Sequence, residues 1–150
     1  MKVTNNVKHD TFFLRKYGIY EVYPESEYER ILEQSGVLIE NKNATILDVG
    51  CGTGAFAIRL KRNGFSKVCG IDISSEMIEV ARDISTEKKL DIEYKIGSIL
   101  EIPYPNNSFD IIWGGCILHH LPKDISIIAK ELYRILKQRG KVFLFEPHAV

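Results

Sequence analysis

Three glycines at alternate positions, Gly50, Gly52 and Gly54, follow an aspartate, Asp48, in the stretch "ILDVGCGTG". Glycines at this spacing let a chain turn tightly and bring its backbone close to a ligand. A helix starting near Thr53 would aim free N–H groups and the positive end of its dipole at that ligand, which suits an anionic group. No Lys-Ser or Lys-Thr pair follows the glycines, so this is not a triphosphate-gripping loop of the Walker type. Read as G-x-G-x-x-A from Gly50 to Ala55, with Asp72 about twenty positions on, it matches the dinucleotide fingerprint.

Asp48 separates two ligand classes. Beside a pyrophosphate its carboxylate would add like-charge repulsion in a partly desolvated site. Beside an ammonium or sulfonium group it would be favourable. S-adenosylmethionine has that character: its carboxylate suits the helix N-terminus, its cationic groups suit Asp48, and its ribose diol suits Asp72 as a paired acceptor. A bland alternative is that Asp48 only caps a turn.

These residues need a frame, and the chain supplies one. From Thr45 onward, strand signals alternate with helix signals: "TILDVG", a helix from Thr53 to Asn63 ending at Gly64, "KVCGID", and a helix N-capped by Ser74 with Met77, Val80, Ala81 and Ile84 as its apolar stripe. "DIEYKI", the Pro/Asn-rich loop "LEIPYPNN", "FDIIWG", a helix after Asp124 with Ile125, Ile128, Leu132 and Ile135 on one face until Gly140, and "KVFLFE" complete the series. Such alternation implies βαβ units and a parallel sheet covered on both faces. The expected fold is α/β, a doubly wound, Rossmann-like sheet with strand order 3-2-1-4-5. Ligands bind such sheets beyond the carboxyl ends of the strands, where the glycine loop lies. Residues 41–150 form this core. Residues 1–40 hold the aromatic cluster "TFFLRKYGIYEVYP" and a helix opened by a capping box of Ser26 and Glu29, with Tyr28, Ile31 and Leu32 at helical spacing until Gly36.

Bulk properties narrow the function classes. The chain has 150 residues, enough for one self-supporting core, and 45% are hydrophobic, which indicates a globular domain. Lys+Arg and Asp+Glu both number 20, which argues against nucleic acid as a partner. No long apolar run follows the polar start, so no signal peptide or membrane span is expected. Three cysteines with no C-x-x-C pair argue against disulfides and zinc and fit a cytoplasmic location. Adjacent His119 and His120 point in different directions and make poor joint metal ligands, so no metal is expected. Either would serve as a general base only if the substrate needed deprotonation. Asp110, at a strand start, reads as a turn acceptor, and Trp113 reads as core.

Taken together, "ILDVGCGTG", "VCGIDISSEMIEVAR", "IPYPNNSFDIIWGGCILHHL" and "ELYRILKQRGKVFLFEP" resemble the class I S-adenosylmethionine-dependent methyltransferases in order and spacing, over about Ala44 to Pro147. The resemblance implies that Gly50, Cys51 and Gly52 line the methionyl part of the cofactor with Asp48 nearby, and that Asp72 accepts from the ribose hydroxyls. It places Ile73 and Met77 against the adenine, Met77 being equally readable as core, with Ser98 and Ile99 beside it. Gly114, Gly115 and Cys116 would face the methionyl end and the methyl acceptor. Many relatives have aspartate in place of Ser98. The implied reaction is methyl transfer by in-line displacement to a small-molecule acceptor, leaving S-adenosylhomocysteine. It needs no dedicated acid or base, and no catalytic residue is assigned. The family continues past the fifth strand with a helix and two more strands, which this chain would lack. "VFLF" would then be a long apolar edge: either the chain is a fragment of a longer protein, the favoured reading, or another subunit or the N-terminal segment covers that edge. Tyr17, Tyr20 and Tyr23 could form a lid over the cofactor, or the segment simply packs and buries Phe12 and Phe13. An NAD-linked oxidoreductase and a non-catalytic binding domain of the same fold are the alternatives.

Overall fold

The computed structural model describes residues 23–146. Phe12, Phe13, Tyr17 and Tyr20, and with them most of the expected lid, lie outside the described residues. The elements run in the order α1 (Glu25–Ser35), β1 (Thr45–Val49), α2 (Ala55–Arg62), β2 (Lys67–Asp72), α3 (Ser75–Glu87), β3 (Glu93–Ile96), β4 (Phe109–Gly115), α4 (Ile125–Ile135) and β5 (Leu136–Phe145). Two short 3-10 turns, Val37–Ile39 and Leu118–His120, join them. The five strands form one sheet in the order β3-β2-β1-β4-β5, with every neighbour parallel. This is the doubly wound order, with helices on both faces.

Each face has its own apolar layer. Ile46 and Trp113 point to the side of α1, α2 and α3, where Tyr28, Leu32, Phe56, Leu60 and Ile78 meet them. Leu47, Val49 and Ile112 point to the other side, against Ile128, Leu132 and Ile135 of α4 and Ile99 and Ile102 of the loop after β3. Four of the five residues of β1 are buried because this strand is central and covered on both faces.

Several element ends differ from the expected ones, each for a physical reason. α1 begins at Glu25 behind Pro24, so Ser26 sits inside the first turn and forms no cap. α2 begins at Ala55 rather than Thr53, because its N-cap Gly54 takes φ +83°, outside the helical region. The buried line on α3 is Ile78, Ala81 and Ser85, and Met77, Val80 and Ile84 flank it half-buried. Ser74 does cap α3, accepting the Met77 N–H at 3.3 Å, whereas Asp124 occupies the α4 N-cap without a side-chain bond. Ile125 is 50% exposed and drops out of the α4 stripe. α4 stops at Ile135 rather than near Gly140: Leu136 already pairs with Phe109, the chain bulges through Arg139 at φ +65°, and regular pairing resumes with Lys141 opposite Ile111.

α1 is fastened to α2 by a buried cation. Arg59 is 2% exposed; its guanidinium lies 4.4 Å from the Tyr28 ring centre and within 4.0 Å of carboxylate oxygens on Glu25 and Glu29. Its Nη1 also donates to the Ala55 carbonyl at 2.9 Å. A fully buried arginine is tolerable only with partners of this kind.

Candidate cofactor site

The carboxyl ends of β1, β2 and β4 meet at one place. Register places Val49 beside Ile71 on one side and Gly114 on the other, so the glycine loop leaves the sheet between Asp72 and Gly115. Gly52 has φ +54°, and a side chain there would meet nothing within 4 Å; the loop crest is open. Below it the space closes. A Cβ on Gly50 would lie 2.1 Å from Ile117, and one on Gly115 would lie 2.5 Å from the Phe56 ring. The backbone is thus exposed on the ligand side and tightly packed behind.

Asp48 lies under this loop, 1% exposed. Its carboxyl accepts from the Ala57 N–H in the first turn of α2, while Oδ2 has no hydrogen-bond partner among the described residues. Burial pushes its pKa well above the usual carboxylate range; the Ala57 bond opposes this, and the Asp72 charge adds to it. A buried acceptor without a partner is costly, and a cationic ligand group is the partner that would favour its ionised form.

Asp72 has a role that sequence reasoning missed. Its Oδ2 accepts the Gly52 N–H at 2.9 Å and its Oδ1 accepts the Ser74 N–H at 2.9 Å. The carboxylate therefore joins the glycine loop to the start of α3. A carboxylate offers about four acceptor sites over its two oxygens, so acceptance from a ribose diol is chemically compatible with these two bonds. An aspartate two residues before a serine N-cap is a signal for half of this arrangement. Asp72→Ala should lower stability by about 1–3 kcal/mol through the two orphaned amides, read by thermal unfolding, with Asp72→Asn recovering part of the loss.

Cys51 is buried, its N–H donating to the Ile71 carbonyl at 2.8 Å. Burial, reinforced by Asp48 and Asp72, pushes its thiol pKa up and so disfavours the thiolate. Ile73 stands 67% exposed just past Asp72, with Met77 half-buried behind it. Ser98 Oγ accepts the Leu100 N–H at 3.1 Å and so shapes its own turn. The Ile99 side chain is 6% exposed and belongs to the core, which leaves only its backbone for a ligand. This turn adjoins Asp72, whose carbonyl accepts the Gly97 N–H at 3.0 Å.

Past β4, Cys116 adopts φ +60° and donates its N–H to the Phe145 carbonyl at 2.7 Å. Its Sγ lies 3.4 Å from the Tyr23 hydroxyl, so one tyrosine from the N-terminal segment reaches the site. Glu146 Oε1 accepts the Ile117 and Leu118 N–H groups at 2.9 and 2.7 Å and fixes the following turn, a contact no local pattern signals. Asp110 is far from this chemistry. It accepts from the Thr45 N–H at 2.9 Å and pairs with Lys137 at 3.0 Å, at the amino ends of the strands. Trp113 is core, with no exposed surface. Among the described residues, no three His, Cys, Asp or Glu side chains cluster to hold a metal ion, and no helix is long and apolar enough to cross a membrane.

A glycine loop over a buried acid lies at the switch point of a 3-2-1-4-5 sheet, where sheets of this kind take their ligands, and comparison with known proteins says which family this is. The family profile described as "Methyltransferase domain" matches residues 47–144. The chain is 37% identical over 105 residues to demethylmenaquinone methyltransferase of Oceanobacillus iheyensis, covering 68% of this chain and 44% of that protein. It is 33% identical over 112 residues to 27-O-demethylrifamycin SV methyltransferase of Amycolatopsis mediterranei, covering 73% and 41%. The crystal structure of the PH0226 protein from Pyrococcus horikoshii superposes with a TM-score of 0.75 at 28% identity, over 88% of this chain and 64% of that one. The chain belongs to the class I S-adenosylmethionine-dependent methyltransferase family. It spans less than half the length of the two curated relatives.

Proposed function

We propose that the protein binds S-adenosylmethionine and transfers its methyl group to a small-molecule acceptor. The observation that carries this reading is Asp48: a buried carboxyl with an unpartnered oxygen directly beneath an open glycine loop, which favours a cationic ligand over a pyrophosphate. Gly50, Cys51 and Gly52 would offer backbone to the methionyl end. Asp72 would take the ribose hydroxyls, Ile73 and Met77 one face of the adenine, and the Ser98–Ile99 backbone its edge. When bound, the cofactor supplies a methyl group already activated by the positive sulfur. The chain's task is then to align it and exclude water. Gly114, Gly115 and Cys116 border the acceptor side, and Tyr23 covers that border. The relatives named for demethylmenaquinone and demethylrifamycin support a small-molecule acceptor.

Three free cysteines support a reducing, cytoplasmic setting. Val142 and Leu144 of β5 are 39% and 44% exposed, a surface for a further part of a longer protein, the favoured reading, or for a second copy of the chain; a monomer at every concentration in sedimentation would remove the second-copy reading. Calorimetric titration with S-adenosylhomocysteine, with NAD as control, tests the main reading. Micromolar binding of the first and none of the second is expected. The opposite pattern, or no binding by a folded sample, would overturn it.

A further inference from the structure

The loop between β3 and β4 is gripped by one arginine. Arg134, in the last turn of α4, directs all its donors there or to its own brace. Nε donates to Glu131 Oε1 at 2.8 Å; Nη1 donates to the Tyr104 carbonyl at 2.8 Å and Asn106 Oδ1 at 3.1 Å; Nη2 donates to the Ile102 carbonyl at 2.9 Å and Glu131 Oε2 at 2.8 Å. A guanidinium has five N–H groups, and each has an acceptor. Glu131 Oε2 also accepts the Ile102 N–H at 2.7 Å, so the backbone of Ile102 is held on both sides. An exposed ion pair one helical turn apart contributes little by itself. This one is half-buried and holds three loop acceptors at once.

The grip continues toward the site without a gap. Pro103 lies between the two held carbonyls. A Cβ on Gly97 would fall 2.7 Å from two ring carbons of Pro103, so the ring is seated directly on Gly97. The Gly97 N–H donates to the Asp72 carbonyl, and the Asp72 carboxylate holds Gly52. Arg134, the backbone at 102–104 that carries the Pro103 ring, Gly97, Asp72 and Gly52 therefore form one connected path from α4 to the glycine loop.

We propose that Arg134, braced by Glu131, is a positioning residue for the cofactor: through Pro103 and Gly97 it sets the turn at 97–100 against Asp72, and so the affinity and selectivity of the adenosine end. The proposal rests on the methyl-donor reading above. Lysine cannot replace arginine here, because a single ammonium lacks the planar fork that reaches carbonyl and carboxylate together.

Two measurements on the wild type, Arg134→Lys and Arg134→Gln test it. Should the glutamine variant not fold, the lysine variant carries the test. In the ligand-free protein, amide exchange at Ile102, Gly97 and Gly52 should quicken in the variants while amides of α1 keep their protection. Unchanged exchange at Gly97 and Gly52 would break the proposed path. In titration, the variants should lose roughly ten-fold in affinity for S-adenosylhomocysteine. Their preference for it over the inosine counterpart should also fall, a ratio that a smaller folded fraction does not move. An unchanged ratio in folded protein would overturn the positioning role. A wild type that binds neither compound would overturn the cofactor reading and the adenosine half of the proposal, leaving the exchange data to decide the mechanical path.

Discussion

Asp48→Asn should weaken S-adenosylhomocysteine binding by at least about thirty-fold and, at neutral pH, make the ligand-free protein more stable than the wild type. Both effects follow from one buried oxygen. Removing one partner of a buried charged contact typically costs about 2–5 kcal/mol of binding, which sets the fold-change. The stability effect has the opposite sign. Burial raises the Asp48 pKa in the fold above the unfolded value of about 3.9. The folded state then holds a proton that the unfolded state has lost. The wild type is therefore most stable below about pH 4 as far as this group is concerned, and loses stability as pH rises through the folded value. Asparagine does not titrate and lacks that loss. Thermal melts of both proteins from acid to neutral pH would check the sign, and a wild-type advantage that grows with pH would refute it. A site that destabilises its own empty scaffold is a common cost of function.

Trp113→Ala should cost about 3–5 kcal/mol of stability, whereas Trp113→Phe should cost less than about 1.5 kcal/mol. Trp113 is fully buried, and its ring centre is 5.0 Å from that of Phe56. Phe56 in turn meets Tyr28 at 5.0 Å and supports Gly115 from below. Alanine would leave a cavity into which Phe56 could sink, so cofactor affinity should fall along with stability. Phenylalanine fills most of the space and removes an indole N–H that has no acceptor among the described residues, which offsets part of the lost contact. Urea unfolding followed by circular dichroism would separate the two substitutions; equal losses would show that the indole nitrogen and the ring edge matter more than volume.

The parts of this molecule legible in the sequence are those whose cause is local. Gly50, Gly52 and Gly54 announce a turn that other residues cannot make, and Ser74 announces a helix start. The alternation of strand and helix periods, with right-handed crossovers, leaves few sheet orders to consider. What stayed hidden depends on residues far apart in the chain. Arg59 reads as an ordinary helical cation, but Glu25, Glu29 and the Tyr28 ring bury it from another helix. Arg134 and Glu131 look like a surface pair until the loop at 102–106 folds onto them. The α4 to β5 junction is not legible locally because the helical period runs on through Leu136, while tertiary pairing with Phe109 claims that residue for the sheet. Ile125 sits at the right helical position yet stays half exposed, since the helix meets the sheet only from Ile128 onward.

The strand order also dictates how a new chain must assemble. β1 is first in sequence and third in space, and its contact with β4 joins residues as distant as Thr45 and Asp110, 65 positions apart. At a ribosomal pace of roughly 5–20 residues per second, that partner arrives roughly 3–13 s after β1 emerges. Until then one hydrogen-bonding edge of β1, flanked by Ile46, Leu47 and Val49, has no strand beside it. Non-local parallel pairing is slow for the same reason. Refolding yield should therefore fall steeply with protein concentration, and in the cell the nascent chain is a natural client for chaperones that bind exposed apolar strands.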